Sequence, residues 1–401
     1  MEITQLKEQN TPLSFEDTSV AFAHKSNQEL RKMYWLFSIM NRRWMVKTGT
    51  GFVKWAFKFR IPLVKWAVKN TVFAHFCGGQ SIEDSQHTID TLNKFNIGTI
   101  LDYSVEGEKN ETSFDHTTQE TILTIEKASQ QPQKIPFCVF KMTGVASFDL
   151  MAKIQAGEQL TNTEQQAWER AFQRVDQICQ KAFEHRVRLF VDGEETWIQD
   201  TIDKVTYDMM KKYNQEVAIV YNTYQMYRTA SLGNLKAAFA EAEQTGYWLG
   251  AKLVRGAYME KERARAEAHG YPDPIQPNKA ASDQDFDEGL RFSMEQRHCI
   301  ALCAGTHNEQ SSLLLTQLIE QYQLPKNDPN VYFSQLFGMS DHISFNLAKA
   351  GYNVAKYVPY GPVASVMPYL IRRADENTSV AGQSSREFML IKKEKKRRRA
   401  G

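Results

Sequence analysis

From residue 95 onward the chain alternates between two textures. Short apolar runs are separated by long stretches in which apolar residues recur every three or four positions. The runs are GTILDY (98–103), PFCVFKM (136–142), VRLFVD (187–192), VAIVYN (217–222), AKLVRG (251–256), CIALCA (299–304), VYFSQLF (331–337) and YNVAKYV (352–358). Most are continuous rather than alternating, the pattern of strands buried on both faces of a parallel sheet. The stretches between them, such as 164–186 and 308–323, carry helical spacing. Eight buried strands, each followed by a helix, is the count for a (βα)8 TIM-like barrel, so the pattern predicts an α/β barrel over residues 96–390. Residues 269–286 read as an extended loop after the fifth unit.

Residues 1–95 read instead as a helical extension. NQELRKMYWLFSIM (27–40) places Leu30, Met33, Leu36 and Phe37 at helical spacing. In residues 52–70, Lys54, Lys58, Lys65 and Lys69 share one helix face. Trp55, Phe59, Trp66 and Phe73 supply apolar area nearby, and Pro62 is predicted to kink or interrupt the helix. At the other end, residues 391–401 read as a basic tail.

Composition narrows the function classes. A formal net charge of +2 on 401 residues gives no global field for nucleic acid. The five cysteines are scattered, odd in number and form no CxxC, which argues against a disulfide framework and a structural zinc site. The N-terminus lacks an apolar secretory core, and no run of eighteen uncharged apolar residues occurs. A cytoplasmic location is the expectation. The basic-aromatic helix and the basic tail leave open a contact with a membrane surface, on the inner face of the membrane.

Barrel active sites lie at the C-terminal ends of the strands, so the polar residues closing each run are the candidates. They are Asp102 with Glu108 beyond it, Lys141, Asp192 followed by Glu194 and Glu195, Asn222, Lys252 and Arg255 leading to Tyr258, Thr306 and His307, and Tyr357; the seventh run leads instead to the apolar Leu336. Taken singly, each has an ordinary reading: a solvated strand end, a helix cap such as Asp102 or Asp192, a turn histidine. Together they set carboxylates, cations and phenols at matching places in different units. The helical stretch MPYLIRRADENTSV (367–380) adds Tyr369, Arg372, Arg373 and Glu376. There is no HExxH, nucleophile elbow or P-loop, and the GTG at 49–51 lacks the third glycine and the preceding strand of a dinucleotide fingerprint.

LFVDGEETW (189–197), KLVRGAYMEKERARA (252–266), GTHNEQS (305–311) and KYVPYGPVASVMPYLIRRADEN (356–377) resemble the proline dehydrogenase family, in particular its short single-function bacterial members with a eukaryote-like catalytic domain. The resemblance implies a distorted barrel carrying FAD without a covalent link. The implied reaction is oxidation of L-proline to Δ1-pyrroline-5-carboxylate, with hydride leaving C5 for flavin N5 and a membrane quinone reoxidising the flavin. A separate pyrroline-5-carboxylate dehydrogenase is expected to take the product.

Residue by residue, the resemblance assigns Lys141, Arg372 and Arg373 to the substrate carboxylate, and Tyr258, Leu336 and Tyr369 to the wall beside the ring. Asp192 matches an acidic residue near Lys141 and the flavin. Asn222, Arg255, Gly256, Ala257, Thr306, His307 and Glu376 match FAD contacts, and Asp102 and Glu108 match acidic residues of a gate. Two positions depart from many bacterial relatives: Lys252, beside flavin N5, replaces Arg, and Asn222 replaces Gln. Tyr357 matches the position where Tyr excludes a 4-hydroxyl group and hydroxyproline-oxidising relatives carry Ser, so proline is expected over trans-4-hydroxyproline. Hydroxyproline oxidation on the same fold is the enzymatic alternative. A non-catalytic membrane-surface scaffold is the non-enzymatic one.

Overall fold

The structure is a computed structural model that describes residues 13–42, 44, 48–49, 51, 62–104, 110–379 and 383–400. Lys54, Lys58, Trp55, Phe59 and Glu108 lie outside the described residues, and the helix holding Glu376 is described without that side chain.

Eight parallel strands close into a barrel in chain order: β1 (Ile97–Tyr103), β2 (Phe137–Phe140), β3 (Arg188–Val191), β4 (Val220–Gln225), β5 (Leu249–Val254), β6 (Ile300–Gly305), β7 (Val331–Leu336) and β8 (Val354–Tyr360). The long register between β1 and β8, from Ile97↔Val354 to Tyr103↔Tyr360, completes the closure. Helices between the strands cover the outside, as the apolar runs predict.

The period-two alternation of each strand sorts its side chains. Phe137 and Val139 of β2, Phe190 of β3, Tyr221 of β4 and Ala355 of β8 fill the interior, while Cys138, Phe140, Leu189 and Val191 pack outward under the helices. Inside, the Phe137 and Phe190 rings stack with centroids 4.4 Å apart. The Arg188 guanidinium lies against the Phe137 and Tyr332 rings and hydrogen-bonds the Pro329 carbonyl at 3.0 Å. The interior is therefore a packed core, open to chemistry only at its C-terminal end.

Two expectations change. The loop after β5 is shorter than its composition predicts: Asn278 caps a helix, Lys279–Glu295, that begins inside the polar stretch. The basic end of the chain is a helix, Gln383–Ala400, in place of a solvated tail. Its Leu390 and Ile391 pack against Leu30, Met33 and Phe37 of the N-terminal helix Asn27–Met40. Arg398 donates to the carbonyls of Phe22 and Lys25, each at 2.8 Å, so part of the basic charge is turned inward onto the N-terminal segment.

The two ends are also fastened to the barrel by buried polar contacts. Lys356 of β8 is fully buried and points out of the barrel, pairing with Asp341 at 2.9 Å at the start of the helix Asp341–Lys349. Asp341 meets His24 at 3.3 Å, and the His24 ring stacks on Phe345. From the other side, the buried Glu387 of the C-terminal helix accepts the Ser340 N–H.

Candidate active site

The same alternation that builds the core delivers the site. One step beyond β2 and β3, Lys141 and Asp192 fall on the inward phase of their strands, as do Lys252 on β5 and Tyr357 on β8. The four meet. Lys141 reaches Asp192 Oδ2 at 2.6 Å, Lys252 contacts Oδ1, and the Tyr357 phenol donates to Oδ2 at 2.6 Å. Lys252 also lies 4.8 Å from the centroid of Phe190, which makes that ring the floor of the site.

Burying one carboxylate between two lysines is favourable only if each charge stays paired. Burial alone would raise the Asp192 carboxyl, but the Lys141 and Lys252 ammonium groups overcome this and hold it well below the usual carboxylate range. Burial together with the carboxylates of Asp102 and Asp192 pushes the Tyr357 phenol well above its ordinary value, so it stays a proton donor.

The helix Met367–Ser379 lies across the mouth. Its Tyr369 is buried with Leu336, Met339 and Phe76 in one apolar cluster, and Leu336 is in register with Tyr357. Arg373 is buried and its guanidinium lies 5.3 Å from the Tyr369 ring, one turn back on the same helix. Arg372 and Lys141 both act on the Tyr258 phenol, so the helix and β2 bring cations to the same side of the mouth. Asp102 is buried close enough to Tyr357 to act on its phenol, and hydrogen-bonds Ser104.

A second group of donors lies along β4–β6. Arg255 is held by Asp283 at 2.6 Å, Thr306 Oγ1 at 2.6 Å and Ser311 Oγ at 3.0 Å, with its guanidinium over Phe286. Gly256 and Ala257 are exposed at the rim. At Gly256 φ is +133°, and a Cβ there would meet the Tyr227 ring at 2.3 Å, so only glycine fits. His307 bonds Ser340 Oγ through Nδ1 at 2.9 Å; burial, with Lys356 and Arg373 nearby, keeps it neutral far below its usual pKa.

Asn222 is not at this mouth. The strand it sits on runs from Val220 to Gln225 rather than ending at Asn222, and Tyr221 takes the inward phase. Asn222 therefore faces the helix Thr196–Tyr213, donating to Asp203 at 2.9 Å. The inward residue at the strand's end is Gln225, whose amide donates to the Glu194 carbonyl at 2.7 Å. Reading Gln225 as the true end of the run would have found it.

The comparisons with known proteins agree with this architecture. Residues 85–386 match the family model described as proline dehydrogenase. The chain is 32% identical, over 95% of its length and 74% of the relative's, to proline dehydrogenase 1, mitochondrial, of Dictyostelium discoideum. It is 30% identical, over 96% of its length and 90% of the relative's, to hydroxyproline dehydrogenase of Xenopus laevis. The chain spans less than half the length of the Caenorhabditis elegans and human proline dehydrogenases that it also matches. In fold it is similar to proline utilization A (PutA) from Bdellovibrio bacteriovorus, inactivated by N-propargylglycine. The TM-score is 0.73 at 19% identity, over 95% of this chain and 41% of that one.

Proposed function

Because the chain belongs to the proline dehydrogenase family, we propose that it oxidises L-proline to Δ1-pyrroline-5-carboxylate using bound FAD, and passes the electrons to a quinone. The observation that carries this reading is the meeting of Lys141, Lys252 and Tyr357 on Asp192, beneath a helix that bears Tyr369, Arg372 and Arg373.

Each side chain has a task in this reading. Lys141, Arg372 and Arg373 bind the substrate carboxylate; the planar fork of arginine suits that anion. Tyr258, Leu336 and Tyr369 wall the ring and exclude water, which fixes its orientation. Asp192 neutralises and spaces the two lysines, so that neither is driven off by the other. Asp102 stands in the gate role.

The residues present fit FAD. Lys252, Arg255, Thr306, His307 and Gln225 form a donor set suited to a pyrimidine edge and a diphosphate, and the rim at Gly256 presents bare backbone. When bound, FAD supplies the hydride acceptor. With Glu376 these residues are assigned to hold it, and Asn222 supports the site through Asp203 from behind.

Tyr357 favours proline over trans-4-hydroxyproline, because its phenol is fixed to Asp192 and takes the space an added hydroxyl needs. The Xenopus relative keeps hydroxyproline oxidation as the second reading. Steady-state kinetics on both substrates decides between them: a clear preference for proline supports the first, and equal kcat/KM contradicts it.

Quinone reduction requires access to a membrane. No helix among the described residues is long and apolar enough to cross one. Trp35, Ile39, Trp44, Leu63 and Trp66 are exposed on the N-terminal segment beside exposed Lys32, Arg42, Lys65 and Lys69, which supports peripheral contact with anionic lipid. Co-sedimentation with anionic liposomes that persists unchanged in W35A/W66A would contradict that contact. The five cysteines are free, in keeping with the reducing cytoplasmic side.

A further inference from the structure

Two residues past Asp192, Glu194 is buried at the wall of the site with no role in the chemistry above. Its carboxylate is committed to one neighbour. Oε1 accepts the Thr143 N–H at 3.0 Å, and Oε2 accepts the Thr143 hydroxyl. Thr143 is the middle of the 3₁₀ turn Met142–Gly144, and Lys141 is the residue from which that turn springs. No side chain of the turn's own segment caps it. Glu194 takes that place from the next strand, satisfying an N–H that the turn leaves open.

The backbone of Glu194 is held just as firmly. Its N–H donates to Gln199 Oε1 at 2.7 Å, and its carbonyl accepts the Gln225 amide at 2.7 Å. One residue thus ties together the ends of β2, β3 and β4. A carboxylate accepts both Thr143 donors at once; its protonated form keeps the hydroxyl contact only by reversing it, with Thr143 Oγ accepting, and loses the negative charge beside Lys141.

We propose that Glu194, in its ionised form, is a positioning residue that sets Lys141 for the substrate carboxylate, and that its protonation weakens substrate binding. This rests on the proline-oxidising reading of the site. The groups facing Glu194 are Lys141 just beyond β2, Glu195 from its own segment, and Tyr258 beyond β5, with Arg372 near Tyr258 and Lys261 paired to Glu195. Burial pushes the Glu194 carboxyl up to about 7, against the pull of Thr143 and Lys141. The transition is therefore expected near neutral pH.

The test uses the flavin-loaded enzyme, the variant Glu194→Gln and two readouts: KM for L-proline, and the inhibition constant of cyclopentanecarboxylate, which has the carboxylate but no amine to oxidise. In the wild type both constants should rise as pH falls through about 7. In E194Q both should be raised by about 5- to 10-fold at pH 8, with kcat changed less than about twofold and the pH dependence flattened. Thr143→Val, which removes one donor, should move both constants the same way by a smaller factor, and serves if E194Q does not fold. Unchanged constants and an unchanged pH profile in the variants, in an enzyme that oxidises proline, would overturn this inference alone. A wild type that does not oxidise proline would overturn the functional reading and this inference with it.

Discussion

The Tyr357 phenol donates to Asp192 across the barrel mouth at 2.6 Å, joining residues 165 positions apart in sequence. The contact fixes the ring where an enlarged substrate would need room. Tyr357→Ser should open that room while leaving the lysine pairs on Asp192 intact. The ratio of kcat/KM for proline to that for trans-4-hydroxyproline should fall by about tenfold or more, mostly through better use of hydroxyproline. Steady-state kinetics with both substrates measures it, and an unchanged ratio would show that Tyr357 does not set the preference.

Asp192→Asn keeps the shape of the site but leaves two lysines facing each other. Removing one partner from a buried ion pair costs about 3–5 kcal/mol, so the variant should unfold at a visibly lower denaturant concentration. Sign matters for pH. Because the native carboxyl lies below its unfolded value, its stabilising contribution is complete above the ordinary carboxylate range and is lost only as pH falls through its depressed native pKa. Asp192 therefore contributes no limb to activity profiles between about pH 5 and 9. Any limb near neutrality should persist in D192N.

Arg373→Met removes a buried guanidinium at the roof of the site and keeps the bulk. KM for proline should rise about 10- to 100-fold, with the flavin content of the purified protein unchanged. Loss of flavin with unaltered KM would move Arg373 from the substrate to the cofactor.

Glu387 offers a test of how the C-terminal helix is fastened. Burial pushes its carboxyl up to about 8 in spite of the Ser340 N–H. The unfolded chain gives up that proton near the ordinary carboxylate pKa, whereas the native protein keeps it until about 8. Between the two the native state binds more protons, so this residue makes stability fall as pH rises. Glu387→Gln should remove the slope. Relative to wild type, its melting temperature should be higher at pH 8 than at pH 5, by about 2 °C. Parallel melting curves at the two pH values would rule out this account of Glu387.

Much of this was readable in the chain. The barrel followed from eight apolar runs, and Lys141, Asp192, Lys252 and Tyr357 followed from asking what closes them. Strand four shows the limit. Its apolar run ends at Tyr221, yet the strand continues through Asn222, Thr223 and Gln225, because polar side chains at a barrel mouth still pair their backbone. A three-residue shift in the end exchanged an inward Gln225 for an outward Asn222. The His24–Asp341 contact left no local signal, since its two partners lie more than three hundred residues apart and each reads alone as a surface charge. The basic C-terminus looked solvated for a related reason: composition reports charge but not which carbonyls, such as those of Phe22 and Lys25, stand ready to receive it.

The most direct test of the central claim is anaerobic addition of L-proline to the purified, flavin-loaded protein, followed by absorbance. Oxidation of proline at the Lys141–Asp192–Lys252 site predicts prompt bleaching of the oxidised flavin band, restored by a quinone and much slower in R373M at the same proline concentration. A flavin band that proline leaves unchanged would contradict it.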